Sequence, residues 1–454
     1  MKSKSNKTLI IILFLGFVFS ILYSLFNLKY FDKNQNLNNH LMIRGDISLI
    51  WQESHLFKED LIKNHKIIGA GKEYTRTFLP SKILSIFYLI FDEEFYQNYE
   101  KNIISIGGKF KYLFFQIIIF FGSLIFFYKN LVKYYKDKNL SLFTVSFLAL
   151  DPNIIQWHGT FWTESIFFSL QLILLSLIIK ERKSYSIFFI MGVLLGLSFL
   201  QKTVAIFLVF IVIIFFIFNE KKEKILKNLI LLSGFVIVLS FLAFDNYKKT
   251  GITYIMPPQT KTAHYEYVVK KIVSKNEGNI KRLKIEEEQW KRKNNYDESN
   301  FRSNLDYFNF IQDQALKIML ENKIETIKIY IRNSLSHLIL NPLQTYYWHK
   351  YNDQNYNNQE FHLSEEAKKY FYIKLLYSLF VYLIIALGLF KVFKDRFKIN
   401  FHLLILFFVL YFIFMLGWVG NSRYFMPSLI FLSVFFGNGL VQLKRMFFKT
   451  NYNK

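Results

Sequence analysis

Runs of apolar residues long enough to cross a lipid bilayer recur along the whole chain. A membrane-spanning helix needs roughly 17 to 25 mostly apolar residues, and about ten stretches of the 454-residue sequence meet that requirement. They lie at approximately 8–27, 111–128, 141–158, 163–179, 184–200, 203–219, 226–244, 370–390, 399–418 and 424–443. Hydrophobic residues make up 52% of the chain, which is too apolar for a soluble protein of this length. The sequence therefore predicts an all-α, polytopic membrane protein.

The apolar region 184–219 is too long to be one membrane span. As a single helix of roughly 36 residues it would be about 54 Å long at 1.5 Å per residue, whereas the hydrocarbon core is about 30 Å thick. Gln201 and Lys202 lie at its centre. We therefore expect two short spans with a turn at this pair.

The first apolar run could be a cleaved signal peptide or a permanent anchor. Its beginning is basic, as in a signal peptide, but no alanine precedes Ala70, so no Ala-x-Ala-like cleavage site follows the run. The run is also long for the apolar part of a signal peptide. We expect an uncleaved anchor.

Lysine and arginine are distributed unevenly among the loops between the predicted spans. With the N-terminus in the cytoplasm, the short outer turns hold only Lys202 and Arg423, and the short inner loops hold many basic residues. Cytoplasmic loops carry such an excess in membrane proteins. We expect a membrane protein with both termini in the cytoplasm. This topology accounts for much of the net charge of +24, so no nucleic acid partner is predicted.

Two long segments, 28–110 and 245–369, would then lie on the outer, periplasmic side. The predicted organisation is an N-terminal transmembrane module, 1–244, which includes the first outer segment, then the outer region 245–369, then C-terminal helices and a tail, 370–454. Residues 81–91 are apolar but too short to span, which suits a helix in the membrane interface. Residues 308–331 have the periodicity of an amphipathic helix. The charged stretch 281–295 is typical of a solvated helix face.

Several kinds of chemistry are excluded by missing residues or motifs. Because the chain has no cysteine, disulfides, thiolate nucleophiles and cysteine-based zinc sites are ruled out. We find no glycine-rich phosphate loop, no Walker motif and no internal repeat.

An unusually polar turn, LDPNIIQWHGTFWTES (150–165), interrupts two apolar runs. Ionisable groups near a bilayer are costly and usually functional. In the predicted topology this turn faces outward, together with Asp46, Arg76, Lys202, Asp245, Asn246 and Arg423. Span ends that adjoin outer turns can line a common cavity at the outer leaflet. An anionic, lipid-tethered substrate would fit there, with basic groups on its phosphate and a carboxylate as base.

Each acidic candidate also has a structural interpretation. Asp46 follows Gly45, and this pair is equally typical of a turn or helix cap. Glu164 begins a predicted span, where a carboxylate complements the helix N-terminus. Asp151 precedes Pro152, and this pair favours a role for Asp151 in ending or capping a helix over a role in the site.

The basic candidates differ in how unusual their positions are. Arg423 is a lone arginine at a short outer turn, against the positive-inside trend, so phosphate binding is favoured. Lys202 could instead extend to the membrane surface without a ligand. Arg76 lies in a loop, where exposed arginines are common.

His158, Trp157 and Trp162 complete the polar turn. A lone histidine at an interface is more often a polar anchor than a ligand or proton carrier, and the tryptophans fit the aromatic belt of a membrane protein. A divalent metal held by Asp46, His158 and Glu164 is conceivable, but no metal-ligand spacing supports it. We predict no cofactor and no resident metal.

Five segments together resemble a known group of membrane enzymes. They are RGDISLIWQESHLF (44–57), ALDPNIIQWHGTFWTESIFFSLQLILLSLI (149–178), GVLLGLSFLQKTVAIFLV (192–209), FDNYKKTGITYIMPPQ (244–259) and NSRYFMPSLIFLSVFFGNGL (421–440). The last has Arg423, Tyr424 and Pro427 at the start of the final span. In order and sidedness they are similar to polytopic bacterial glycosyltransferases of the GT-C superfamily. In particular, they resemble relatives of protein O-mannosyltransferases and of the lipid A aminoarabinose transferase (glycosyltransferase family 39).

The resemblance implies a specific fold, reaction and site. The fold would be GT-C-like, with a helical first outer loop and a larger outer loop before the last three spans. The donor would be a sugar on a polyprenyl phosphate, and the acceptor a hydroxyl outside the cytoplasm. An acid of the first outer loop, Asp46, would act as base in an inverting transfer. Lys202, Arg423 and Arg76 would bind the donor phosphate, Glu164 would be a second catalytic acid, and His158, Asn246 and Tyr424 would line the site.

The sequence departs from that family in its first outer loop. The acidic pair often found there is reduced to Asp46 followed by Ile47, and the usual proline-rich segment is reduced to YTRTFLP (74–80). Two other functions remain open: an O-antigen polymerase or ligase, which would not need Asp46, and a transporter, which would place charges at the bilayer midplane. If the first hypothesis is correct, Asp46 should lie within about 10–12 Å of at least one of Glu164, Lys202 or Arg423, close enough to belong to one site.

Overall fold

A computed structural model describes residues 2–32, 46–70, 78–91, 106–220, 222–274, 277–297, 300–342, 344–345, 365–396, 398–417, 419 and 422–448. Over these ranges the chain is helical and forms no strand. The described α-helices are α1 Lys2–Asp32, α2 Asp46–Lys63, α3 Phe78–Phe91, α4 Ile106–Tyr135, α5 Lys138–Leu150, α6 Pro152–His158, α7 Glu164–Ile178, α8 Tyr185–Gln201, α9 Leu208–Asn219, α10 Lys224–Thr250, α11 Lys270–Val273, α12 Glu277–Lys293, α13 Phe301–Glu321, α14 Lys323–His337, α15 Glu365–Asp395, α16 Ile399–Leu416 and α17 Met426–Phe448. Short 3₁₀ turns at Thr203–Phe207, Pro258–Thr262 and Ser422–Phe425, and a π turn at Tyr265–Val269, lie between them.

The chain is a multi-pass membrane protein. Among the described residues, six helices are long and apolar enough to cross a membrane by themselves: Lys7–Leu28, Gly107–Tyr135, Lys224–Thr250, Lys368–Asp395, Ile399–Leu416 and Met426–Phe447. The other four predicted spans coincide with shorter apolar helices in α5–α9. The predicted helical class is therefore confirmed, while the number of ten crossings stays a prediction.

The predicted span 141–158 is broken, because α5 ends at Leu150 and α6 begins at Pro152. Asp151 joins them: its backbone N–H donates to Phe147 O at 2.8 Å, and its Oδ1 accepts from the backbone N–H of Asn153 at 2.7 Å. Proline at the first helical position needs no partner for the N–H that it lacks. The interpretation of Asp151 as a residue that ends and caps helices is confirmed, and the continuous span predicted at 141–158 is wrong.

The predicted turn in the region 184–219 is present. Helix α8 ends at Gln201, Lys202 has an extended backbone, and the 3₁₀ turn Thr203–Phe207 leads into α9. Gln201 Nε2 also donates to Thr163 O at 3.0 Å, which fastens this turn to the start of α7.

Glycines allow two pairs of spans to approach closely. A Cβ placed on Gly192 would lie 1.9 Å from Leu231 O, so α8 and α10 touch backbone to backbone. The same holds for α15 and α17, where a Cβ on Gly439 would lie 1.9 Å from Ile384 O. Small residues are the usual contacts between membrane helices, because apolar burial adds little once both surfaces are already in lipid.

Two described helices, α2 and α3, lie in the segment 28–110 that was predicted to be on the outer side. Helix α3 contacts α2, α4 and α8, burying Leu84 and Tyr88 and leaving Ile86 and Ile90 exposed. The apolar helix predicted at 81–91 is thus present, with one face on protein. The region 308–331 is helical as predicted but is not one helix, because α13 ends at Glu321 and α14 begins at Lys323. Most of the charged stretch 281–295 lies in α12, which ends at Lys293.

Helix packing through Gly439 can be tested by adding a side chain there. Gly439→Leu should lower the Tm of the protein in detergent, because overpacking a close contact costs about 1–3 kcal/mol or more. The matched control is Gly122→Ala in α4, where a Cβ would meet nothing within 4 Å. Equal Tm values for the Gly439→Leu variant and wild type would contradict the close contact between α15 and α17.

Candidate active site

One buried carboxylate holds two cations that come from distant parts of the chain. Glu164 Oε1 accepts a hydrogen bond from Lys202 Nζ at 2.9 Å and from Arg423 Nε at 2.6 Å. Glu164 is fully buried, and Lys202 and Arg423 are only 8% and 7% exposed. We call these three residues the Glu164 triad.

Every member of the Glu164 triad lies at the end of a helix. Glu164 is the first residue of α7, Lys202 follows the last residue of α8, and Arg423 is in the 3₁₀ turn before α17. At the N-terminus of α7, the partial positive charge of the helix also favours a carboxylate. The ends of three apolar helices are therefore joined by charge at one place.

Two tryptophans of the polar turn pack around Arg423. The guanidinium carbon lies 3.4 Å from the ring centroid of Trp162 and 5.7 Å from that of Trp157. Aromatic faces attract a cation within about 6 Å. The prediction that these residues need only be part of an aromatic belt missed this contact, and Trp157 is in fact fully buried. The clue in the sequence was a lone outer arginine together with a tryptophan-rich turn.

The Glu164 triad carries one more positive charge than negative charge. Buried charges are costly unless they are paired, and here one carboxylate oxygen contacts both cations. Glu164 Oε2 is buried and accepts no hydrogen bond from the described residues. A buried cluster with a net positive charge is suited to binding an anionic group, and a phosphate can accept from both Lys and Arg.

His158 and Asn246, predicted to line the site, make internal contacts. His158 is fully buried, its Nδ1 lies 2.8 Å from Ser165 Oγ, and its ring centroid is 4.3 Å from that of Phe120. Asn246 Nδ2 donates to Tyr254 O at 2.8 Å, where the chain leaves α10. His158 therefore contacts Ser165, the residue that follows Glu164 in the sequence.

Three other predicted site residues are only partly covered by the structure. Asp46 is the first residue of α2, but its side chain lies outside the described residues. Tyr424 is in the 3₁₀ turn beside Arg423, again without a described side chain, and Arg76 lies outside the described residues altogether. The distance predicted from Asp46 to the triad therefore stays a prediction.

A second group of charges connects the first outer segment to α10. Asp245 accepts from the backbone N–H of Gly69 at 2.8 Å, and its Oδ2 lies 3.2 Å from Lys249 Nζ. The Nζ atom of Lys82 in α3 lies 3.1 Å from the ring centroid of Phe57 in α2. These buried contacts hold α2, the helix that begins with Asp46, in a fixed relation to the bundle.

Within the described part of the chain, no three His, Asp or Glu side chains come together as a metal site would require. The predicted absence of a cofactor or resident metal stays a prediction.

The helix α14 packs against the 3₁₀ turn that carries Arg423. His337, the last residue of α14, is fully buried, and neither ring nitrogen has a hydrogen-bond partner among the described residues. Burial and the nearby charge of Lys271 lower the pKa of His337 to about 4. The imidazole is therefore neutral in the folded protein at pH 7.

Comparison with known proteins identifies the type of fold. Residues 102–244 match the family model described as dolichyl-phosphate-mannose-protein mannosyltransferase. The apo crystal structure of the Archaeoglobus fulgidus oligosaccharyltransferase aligns over 96% of this chain and 51% of its own, with 12% identity and a TM-score of 0.52. The chain shares the fold of this oligosaccharyltransferase, a member of the GT-C superfamily. The predicted resemblance to this superfamily is confirmed.

A second structure of Archaeoglobus fulgidus oligosaccharyltransferase AglB, in complex with an inhibitory peptide and a dolichol-phosphate, is also similar. It aligns over 97% of this chain and 52% of its own, with 13% identity and a TM-score of 0.48. The chain thus spans about half the length of either neighbour. No curated protein matches its sequence. The family-model match includes Glu164 and Lys202, while Asp46 and Arg423 lie outside it.

Removing the charge of Glu164 should destabilise the protein strongly. In Glu164→Gln two buried cations lose their shared carboxylate, and breaking a buried ion pair in this way typically costs about 3–5 kcal/mol. Differential scanning calorimetry of the purified protein should show a clear fall in the Tm of Glu164→Gln relative to wild type. Adding Lys202→Met should restore part of the stability, because one unpaired cation is then removed.

The matched control for this prediction is Glu220→Gln. Glu220 also serves two lysines, Lys227 at 2.7 Å and Lys183 at 3.8 Å, but these side chains are 14–19% exposed. Its loss should lower the Tm less than the loss of Glu164. Equal effects of the two substitutions would mean that the triad is not an energetically special contact.

The buried His337 should make the protein less stable in acid. Because its pKa is about 4 when folded and about 6.5 when unfolded, the unfolded state binds more protons below pH 6.5. The contribution of His337 to the free energy of unfolding is therefore complete above pH 6.5 and is lost as the pH falls towards 4. The Tm of His337→Gln should fall less over that interval than the Tm of wild type. His65→Gln, at an exposed residue, should follow wild type.

Proposed function

We propose that this protein is a GT-C-type glycosyltransferase that moves a sugar from a polyprenyl-phosphate-linked donor to a hydroxyl acceptor at the outer face of the membrane. The observation that carries the proposal is the Glu164 triad, a buried cationic cluster at the ends of three helices. The GT-C fold and the family-model match over 102–244 support the same class of enzyme. A lipid phosphate presented at the membrane surface is the kind of ligand such a cluster favours.

In the proposed reaction, Asp46 accepts the proton of the acceptor hydroxyl. The acceptor oxygen forms a bond to the anomeric carbon as the bond from that carbon to the phosphate oxygen breaks, so the configuration at the anomeric carbon is inverted. The products are the glycosylated acceptor and the free polyprenyl phosphate. General-base catalysis of this kind typically contributes about 10²–10⁴ in rate.

The cations of the triad would stabilise the leaving group. Negative charge grows on the phosphate oxygens as the glycosidic bond breaks, and preorganised cations in a buried site stabilise such charge effectively. In this proposal Lys202 and Arg423 bind the phosphate. Glu164, whose Oε1 already contacts both cations, is a positioning residue that keeps them facing the same point.

The membrane arrangement is part of the proposal. We infer that the protein lies in the bacterial inner membrane with both termini in the cytoplasm and the triad near the periplasmic surface. The region 245–369 would then contact the acceptor, whose nature (lipid, glycan or protein) the proposal leaves open.

The direct test is release of polyprenyl phosphate by the purified protein. Wild type would be incubated in lipid with a panel of polyprenyl-phosphate-linked sugars and a cell-envelope extract as a source of acceptors. Asp46→Asn should reduce the release rate by about 10²–10⁴, as expected for a lost general base. Glu59→Gln is the matched control on the same helix, because Glu59 forms an exposed pair with Lys63 and such pairs contribute little.

The triad is tested in the same assay. Arg423→Gln should lower both donor binding and the release rate, whereas Arg423→Lys should retain part of each because the positive charge remains. If Asp46→Asn releases as fast as wild type, the base lies elsewhere. If wild type releases nothing from any donor, with any extract, the O-antigen polymerase or ligase function becomes the better hypothesis.

A further inference from the structure

One face of helix α14 consists of large aliphatic side chains that are mostly exposed. Four of them are more than half exposed: Ile324 at 73%, Ile327 at 57%, Ile331 at 52% and Leu335 at 60%. Their spacing of three, four and four residues places them on one side of the helix. We call this set the α14 apolar face.

The opposite side of α14 is buried in the protein. Ile329, Asn333 and His337 are buried, and Lys271 Nζ donates to Asn333 Oδ1 at 2.9 Å. The helix is therefore held by one side, and the α14 apolar face points away from its protein contacts. Exposed residues of this size and number on one helix usually mark an interaction surface.

The α14 apolar face adjoins the lipid-facing surface of the span α16. Tyr330 OH donates to the backbone oxygen of Phe414 at 2.5 Å, near the C-terminal end of α16. Phe414 is 61% exposed and continues an exposed apolar stripe along this span. That stripe consists of Leu403, Phe407, Leu410 and Phe414. The two apolar surfaces meet at the end of a helix that crosses the bilayer.

Basic side chains accompany the α14 apolar face. Lys323, Lys328 and Arg332 are all exposed on the same helix. At 100° per residue, Lys328 and Arg332 lie on one flank of the aliphatic residues and Lys323 on the other. Apolar residues with lysine and arginine beside them are characteristic of a helix that lies in the interface of a membrane with anionic lipids.

We propose that α14 lies in the membrane interface, with its apolar face in the leaflet that surrounds the C-terminal end of α16 and its basic residues on anionic headgroups. The occupant of this face is phospholipid. The continuity with α16 and the flanking charges both favour lipid over a second protein surface. This inference does not depend on the proposed enzymatic activity.

Docking of α14 on lipid would have a consequence for the site. The same helix contacts the 3₁₀ turn that carries Arg423. The membrane surface would then help to fix the depth of that turn, and with it the height of the Glu164 triad relative to the headgroups.

The absence of cysteine from the chain makes a site-directed fluorescence test simple. An environment-sensitive fluorophore would be attached to Ile327→Cys or Ile331→Cys in the full chain, reconstituted in nanodiscs of phosphatidylcholine and phosphatidylglycerol. Phe407→Cys on the span α16 is the lipid-exposed control. Ile285→Cys, 54% exposed on the charged helix α12, is the water-exposed control. Quenching by nitroxide-labelled lipid and by aqueous iodide is measured for each.

Labels at 327 and 331 should behave like the label at 407. We expect a blue-shifted emission, strong quenching by nitroxide lipid and weak quenching by iodide. Quenching by iodide alone, as at 285, would overturn the proposal. Protection from both quenchers would also overturn it, because protein rather than lipid would then cover the α14 apolar face.

The basic flank is tested separately in the Ile327→Cys background. Raising the phosphatidylglycerol content should increase quenching by nitroxide lipid, and Lys328→Glu with Arg332→Glu should abolish that increase. The control is Lys284→Glu on α12, an exposed lysine away from this face, which should leave the increase intact. If quenching by nitroxide lipid changes neither with the phosphatidylglycerol content nor with the double substitution, the assignment of anionic headgroups is overturned.

Discussion

The ion pairs of Glu164 are the constraint around which the rest of the site is arranged. A carboxylate with no exposure to water is stable only if opposite charges reach it, and here they come from the end of α8 and from the turn before α17. Several other features follow from this demand. The break between α8 and α9 brings Lys202 to the carboxylate, and Trp157 and Trp162 enclose the guanidinium of Arg423. The polar turn between α6 and α7 is thus one wall of a charged, partly aromatic enclosure at the ends of membrane helices.

Much of the helical architecture could be predicted from the sequence, because bilayer thickness imposes a length on every apolar run. The turn at Gln201–Lys202 was predictable, since one helix of that length could not fit the hydrocarbon core. The break at Asp151 was visible only as a helix-end pattern, because the residues around it are apolar enough to suggest continuity. Glycine contacts such as Gly439 against Ile384 could not be predicted, since they depend on which helices become neighbours.

The site was predictable as a set of residues but not as a set of contacts. Lys202 and Arg423 could be identified because they are basic residues in turns predicted to face outward, where lysine and arginine are uncommon. Glu164 could be identified because it lies in the polar turn. Nothing in their spacing indicated that both cations would contact the same carboxylate oxygen, because that requires the relative depth of three helices. The role of Trp162 was missed for the same reason: its stacking partner is distant in sequence. Sequence periodicity reports which residues share a face of one helix, and contacts between helices lie beyond it.

The contact between Glu164 and Arg423 joins residues 259 positions apart, which has a consequence for the order of assembly. During synthesis, α7 enters the membrane long before the turn that carries Arg423 has been made. Until then, Lys202 is the one member of the triad available to the carboxylate. Completion of the Glu164 triad therefore coincides with the arrival of α17, so a nascent chain that has not yet reached α17 would lack the full cluster. A membrane protein built in this way acquires its complete charged centre only when α17 joins the earlier helices.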